Sequence, residues 1–262
     1  MISIVGIPTD KHSSFLRGAS EAPPVIMKEF HSEAGNRFSE NGLDLGKNGL
    51  WKDIGSLDLT GKDNEFEIIK NSINDILKNG DHCISLGGDH SITYPIIAGY
   101  HEFYPKLNII HFDAHPDLYE NFDDNPYSHA SPFARIMENT LIKKLIQIGI
   151  RTMTDHQQKQ VEKYDITVIS MNDFSSDMIL QFEDPVYISI DLDGIDPAYA
   201  PGVSHPEPGG LSTRDLIKVI SNIDGQIVGA DIVEYNPIKD INDITAITAA
   251  KILKELMGKM LA

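Results

Sequence analysis

Three stretches of this chain carry Asp and His side chains directly after runs of β-forming residues. They are Ile84-Ser-Leu-Gly-Gly-Asp-His90, Ile109-Ile-His-Phe-Asp113-Ala-His115-Pro-Asp117 and Val186-Tyr-Ile-Ser-Ile-Asp191-Leu-Asp193. A fourth, Tyr127-Ser-His129, lies between the second and third. Residues at i, i+2 and i+4 of an extended chain share one face, so Asp113, His115 and Asp117 are expected on one side, and Asp191 with Asp193 likewise. So many carboxylates in one place repel one another unless a cation neutralises them. Carboxylate mixed with imidazole suits a pair of divalent ions, and this points to a metal-dependent hydrolase. Taken singly, Gly-Gly-Asp-His also fits a turn with a helix cap, and Asp191 to Pro197 also fits a turn-rich loop. Their joint occurrence at three strand ends is what carries the reading.

The elements that must position these residues alternate along the chain. Strands are expected at 2–5, 82–86, 107–112, 145–148, 167–170, 186–190 and 227–232. Apolar spacing predicts helices at 66–79, 94–103, 155–164, 213–223 and 245–260, with Pro23-Pro24 opening another over 25–30. Several strand runs are almost wholly apolar, as buried parallel strands are. The alternation predicts an α/β fold: one three-layer domain over residues 1–262, with a largely parallel central sheet and helices on both faces. In such sheets, sites form in the crevice outside the carboxyl ends of the strands, where distant motifs converge. The polar segment 119–126 is the candidate active-site loop.

The bulk properties narrow the function classes. With 39 acidic against 22 basic residues, the net charge of −17 disfavours nucleic-acid binding. It suits a small cationic substrate. Cys83 is the only cysteine and lies in an apolar run, so a buried structural thiol is expected rather than a nucleophile. No apolar run approaches the roughly 20 residues of a membrane span, and cytoplasmic residence is expected by default.

Gly87-Gly-Asp-His90-Ser, Asp113-Ala-His115-Pro-Asp117 and Ser189-Ile-Asp191-Leu-Asp193-Gly-Ile-Asp-Pro197 resemble the three signatures of the ureohydrolase family, which contains arginase, agmatinase, formiminoglutamase and guanidinobutyrase. The resemblance runs from Gly6 to the C-terminal helix. Tyr127-Ser-His-Ala-Ser-Pro-Phe-Ala-Arg135 and Ala200-Pro-Gly-Val-Ser-His-Pro-Glu-Pro-Gly-Gly-Leu211 are similar to plant-type arginases, which are themselves nearer to bacterial agmatinases than to animal arginases. The resemblance implies that His90, Asp113, Asp117 and Asp191 hold one metal and Asp113, His115, Asp191 and Asp193 the other, with Asp113 and Asp191 bridging. It implies two Mn²⁺ ions. Ligand type alone leaves nickel, cobalt and zinc open. The guanidinium carbon is a poor electrophile, and a metal pair can acidify a shared water from 15.7 towards roughly 7. By the same resemblance, Asp193 relays a proton to the departing amine and His129 shuttles protons to bulk water. Glu234, in Asp231-Ile-Val-Glu234-Tyr, binds the guanidinium, which a carboxylate can grip through two parallel N–H bonds. The family's members are commonly trimers or hexamers, so a homotrimer or homohexamer is expected.

The far end of the substrate is less defined. Asn125 and Ser128 are candidates to hold an amino-acid tail. Glu120, Asp123 and Asp124 in the same loop disfavour a carboxylate nearby. The acidic pair of animal arginases is replaced by Thr152-Met-Thr-Asp155-His. The balance falls on arginine, with agmatine or another guanidino or formimino compound as the alternative. A single-zinc deacetylase and a non-catalytic metal-binding homologue are the remaining classes. Among the other histidines, His111 precedes Asp113 by two residues and could share its face, although the family pattern leaves it outside the metal shell. The rest, His205 included, default to surface or supporting positions. Arg151 is expected to pair with an acidic group near the site.

Overall fold

The computed structural model describes all 262 residues. In chain order its strands are β1 (Ile2–Ile7), β2 (Trp51–Ser56), β3 (His82–Gly87), β4 (Asn108–Phe112), β5 (Lys144–Ile150), β6 (Thr167–Ser170), β7 (Leu180–Gln181), β8 (Val186–Asp191), β9 (Ile223–Asp224) and β10 (Ile227–Val233). Its α-helices are α1 (Ala22–Phe30), α2 (Glu65–Lys78), α3 (Thr93–His101), α4 (Pro132–Glu138), α5 (Asp155–Lys163), α6 (Thr213–Ser221) and α7 (Ile244–Met260). Eight strands form one sheet in the order β2-β1-β3-β10-β8-β4-β5-β6. Every pairing in it is parallel. β7 and β9 form a separate two-residue pair.

Successive strand side chains point to opposite faces, so each inner strand feeds two cores. Ile2 and Ile4 of β1, with Ile110 and Phe112 of β4, pack with Ile26 of α1, Leu216 of α6 and Leu253 of α7. Val5 and Ile7 of β1, with Ile109 of β4, pack on the other face with Ile73 of α2, Ile97 of α3 and Phe133 of α4. This is the three-layer arrangement expected from the alternation. All seven expected strands and all six expected helices are present, with ends moved by a few residues.

Four elements escaped the apolar pattern, the two-residue strands β7 and β9 together with β2 and α4. β2 is an edge strand whose residues are almost all exposed, so it carries no core-facing alternation and is defined by its backbone pairing to β1. α4 is only seven residues long, started by Pro132.

The chain passes from β3 to β4, leaving between them the two positions that β10 and β8 fill later. The carboxyl ends of these four central strands therefore border one crevice, the place where a parallel sheet of this kind binds ligands. Two glycines let the backbone close around it. A Cβ on Gly88 would lie 1.7 Å from the Thr9 carbonyl oxygen, and one on Gly194 2.8 Å from the Asp113 nitrogen.

Candidate metal centre

The six expected ligands converge, but by tight turns rather than by strand pleat. Asp113 is the first residue beyond β4, and His115 and Asp117 follow in a loop, with Asp117 at φ 51°. The His115 N–H donates to Asp113 Oδ1 at 2.6 Å, folding the loop back on its own carboxylate. Asp191 ends β8, and Asp193 sits in a 3₁₀ turn whose N–H donates to Asp191 Oδ1 at 2.8 Å. His90 begins a 3₁₀ turn after β3, capped by Asp89, which accepts from the Ser91 N–H. The shared strand faces are thus corrected: side chains two residues apart meet because the backbone turns between them.

His90 Nδ1 lies 3.4 Å from Asp113 Oδ2, 3.0 Å from Asp117 Oδ2 and 3.1 Å from Asp191 Oδ2. His115 Nδ1 lies 3.4 Å from Asp113 Oδ1 and 3.2 Å from Asp193 Oδ2. Two ligand groups result, one of His90, Asp113, Asp117 and Asp191, the other of Asp113, His115 and Asp193, and Asp113 belongs to both. Asp191 falls in the first group only, its second oxygen being engaged by the Asp193 N–H. His90 Nδ1 is buried among three carboxylates yet makes no hydrogen bond of acceptable geometry. A buried nitrogen facing only anionic oxygens is what a cation would satisfy. The donor set therefore fits two oxygen-rich divalent sites.

The electrostatics agree. Burial, then the charges of Asp193 and Asp113, push Asp191 well above the usual carboxylate range. Burial and Asp113 push Asp193 up to about 7. Burial opposes the charge on His115, but Asp193 and Asp113 overcome it and raise its pKa to about 12. Without a cation, the cluster must retain protons to offset its carboxylates.

Supporting contacts reach further out. His90 Nε2 is 3.0 Å from Ser189 Oγ, which donates to Asp231 Oδ1 at 2.7 Å. Tyr187 OH and Thr93 Oγ1 both donate to Asp231 Oδ2. Arg151 does not pair with an acidic side chain. Its guanidinium donates to the carbonyl oxygens of Asp193, Gly194, Gly149 and Glu207, bracing the turn that carries Asp193. Cys83 is buried as expected, its thiol pushed up to about 12, chiefly by burial.

A cavity of about 220 Å³ opens beside the ligands. Glu234, just past β10 at φ 64°, lines it and accepts from the His90 N–H at 2.9 Å. His129 Nδ1 lies 2.9 Å from Glu234 Oε1, and its Nε2 lies 2.8 Å from Ser14 Oγ. Burial works against charging His129, but Glu234 holds its pKa up at about 9. Burial likewise opposes the charge on Glu234, and His129 brings its pKa below the ordinary value. Asn125 and Ser128 do not line the cavity. Asn125 caps a turn through Oδ1 and lies 3.2 Å from His12 Nδ1, while Ser128 Oγ accepts from the Ala130 N–H. Glu120, Asp123 and Asp124 also lie outside it, with Glu120 paired to Lys163. The walls are instead Ser14, Tyr119, Phe122, Thr152, Thr154, Gln157 and His205. Of these, Tyr119 and Phe122 belong to the polar loop expected at the site, Thr152 and Thr154 to the changed acidic pair, and Thr154 with Gln157 forms the capping box of α5.

The Arginase-family model matches residues 1–258. The chain belongs to the arginase family. It is 40% identical to a mitochondrial arginase of Medicago truncatula over 98% of this chain and 81% of that relative. The solved structure of Medicago truncatula arginase superposes with a TM-score of 0.95, covering 99% of this chain and 87% of that one. Arginase 2 of Arabidopsis thaliana, named chloroplastic/mitochondrial, is 38% identical over 98% of this chain and 80% of its own length. An agmatinase of Bacillus cereus is 32% identical over 63% of this chain and 59% of its own. Arginase-family relatives are hydrolases that act on guanidino groups. The organellar names of the plant arginases overturn the expectation of a cytoplasmic protein. That expectation rested on the absence of a membrane-length apolar run, which carries no address.

Proposed function

We propose that this arginase-family chain is itself an arginase, hydrolysing L-arginine to ornithine and urea as one catalytic unit over residues 1–262. The observation that carries the reading is the adjacency of two carboxylate-rich ligand groups to a cavity that Glu234 also lines. His90, Asp113, Asp117 and Asp191 would hold one Mn²⁺, and Asp113, His115, Asp191 and Asp193 the other, with Asp113 shared by geometry and Asp191 by family resemblance. Bound there, two divalent ions supply Lewis acidity and acidify water at neutral pH.

The chain's own groups do the rest. Glu234 accepts guanidinium N–H bonds and orients the carbon to be attacked. His129, protonated at neutral pH, exchanges its proton with solvent along the Ser14 side. Asp193 relays a proton to the departing amine, a role carried over from the family resemblance. Thr152, Thr154 and Gln157 offer neutral hydrogen-bonding groups to the far end of the substrate. They leave no carboxylate there to repel the α-carboxylate of arginine, which favours arginine over agmatine. A shared carboxylate between two ligand groups also speaks against a single-zinc deacetylase. The exposed isoleucines Ile238, Ile241, Ile244 and Ile247 support self-association into a homotrimer or homohexamer. The test is urea release by manganese-loaded protein from arginine, agmatine and guanidinobutyrate. Urea from none of them refutes the reading.

A further inference from the structure

His111 and Gln147 face one another in the register of β4 and β5. Both are fully buried. His111 Nε2 is 2.8 Å from Asp113 Oδ2, and its Nδ1 is 3.0 Å from Gln147 Nε2. The amide nitrogen of Gln147 also donates to the Pro116 carbonyl oxygen at 2.6 Å. That carbonyl can only accept, so the amide cannot be turned the other way. The second amide hydrogen then points at His111 Nδ1, which must offer a lone pair. The imidazole proton is therefore on Nε2, directed at Asp113.

This assignment settles two matters. Although His111, His90 and Asp113 lie close enough to hold an ion together, an imidazole with Nδ1 facing an amide and Nε2–H facing a carboxylate has no lone pair left for one. The contacts thus leave His111 Nε2–H as the donor to Asp113 Oδ2. The ring itself is fixed between Phe133, with centroids 4.1 Å apart, and His90, 5.0 Å away. Asp113 is thus pinned at both oxygens: Oδ2 accepts from His111, and Oδ1 from the His115 N–H at 2.6 Å.

We propose that His111 is a positioning residue, an Nε2–H donor locked in that tautomer by Gln147, which holds the Asp113 carboxylate in the orientation that lets it serve both ligand groups. The proposal rests on the metal-centre reading above and adds a group outside its ligand set.

The test compares wild-type protein with His111→Phe, His111→Gln and Gln147→Leu. Each is stripped of metal and titrated calorimetrically with Mn²⁺, with thermal unfolding of the metal-free form measured in parallel. Partners of this kind typically contribute 10–100-fold in metal affinity. His111→Phe is expected to keep a stoichiometry of two and to bind about 10–100-fold more weakly. His111→Gln, whose amide nitrogen replaces the ring Nε2 donor, should recover most of that loss. Gln147→Leu, which releases the tautomer, should fall between them. Wild-type affinity in His111→Phe overturns the proposal. So does the loss of one ion in both His111 variants, which would make His111 a ligand. A fall in metal-free thermal stability with no rescue of affinity by His111→Gln makes the residue structural only. If His111→Phe does not fold, wild-type affinity in Gln147→Leu decides against the proposal. Wild-type protein that binds no ion refutes the metal centre itself.

Discussion

Glu234 Oε1 lies 2.9 Å from His129 Nδ1, joining the loop beyond β4 to the end of β10 across the mouth of the crevice. The same oxygen accepts from the His90 N–H, so one carboxylate connects His129 to the turn that bears His90. His129 thereby brings the pKa of this cavity-lining carboxylate below its ordinary value.

The pair gives a pH window. His129 has a pKa of about 9 in the fold against an ordinary value of 6.5, so the stability it contributes is complete below 6.5 and is lost as pH rises through 9. Glu234 is shifted downward from 4.5, so its contribution is present above that value and is lost on acidification. A double-mutant cycle with His129→Ala and Glu234→Gln, in urea and without metal, should show coupling near pH 6 and almost none by about pH 10. Equal coupling at both would contradict the ion pair.

Metal binding should release protons. His115, held near 12, and Asp193, near 7, retain protons in the metal-free cluster that a cation must displace. Affinity for Mn²⁺ therefore rises with pH. Calorimetry in two buffers of different ionisation heat should find about one to two protons released per chain at neutral pH. Proton uptake would show the cluster to be charged otherwise.

The two roles outside the ligand set separate by kinetics. His129→Ala should slow turnover by about 10²–10⁴-fold, the usual range for lost proton transfer, with both ions retained. Metal loss in that variant would contradict a shuttle role. Glu234→Gln should cost about 10–100-fold in kcat/KM, the magnitude of a hydrogen bond to a charged group. Its metal content should be unchanged by atomic emission.

Asp191→Ala should lower occupancy at both sites, and by more than the 10–100-fold that outer partners give. Asp191 closes the first group through Oδ2 and shapes the turn of Asp193 through Oδ1. Retention of two ions per chain would refute the bridge.

The convergence of these six residues was legible because few residue types bind cations, and because three motifs stand at three strand ends. Their local geometry was not. Spacing placed Asp113, His115 and Asp117 on a strand face, whereas the His115 N–H turns the chain back onto Asp113. Ser14 approaches His129 from 115 residues away, through a loop with no pattern of its own. Asn125 and Ser128 stand in the loop that holds the amino-acid end in animal arginases, yet here they serve the loop's own turns. β2 was invisible for a related reason: an exposed edge strand is specified by its neighbour's backbone, which no side-chain pattern records.

On the proposed function, this cavity hydrolyses a guanidino substrate whose tail is that of an amino acid. The direct measurement is a side-by-side comparison of urea release from arginine and from agmatine by the manganese-loaded protein. A higher kcat/KM for arginine, abolished by removal of the metal, is predicted. A higher value for agmatine, or urea from neither, would contradict it.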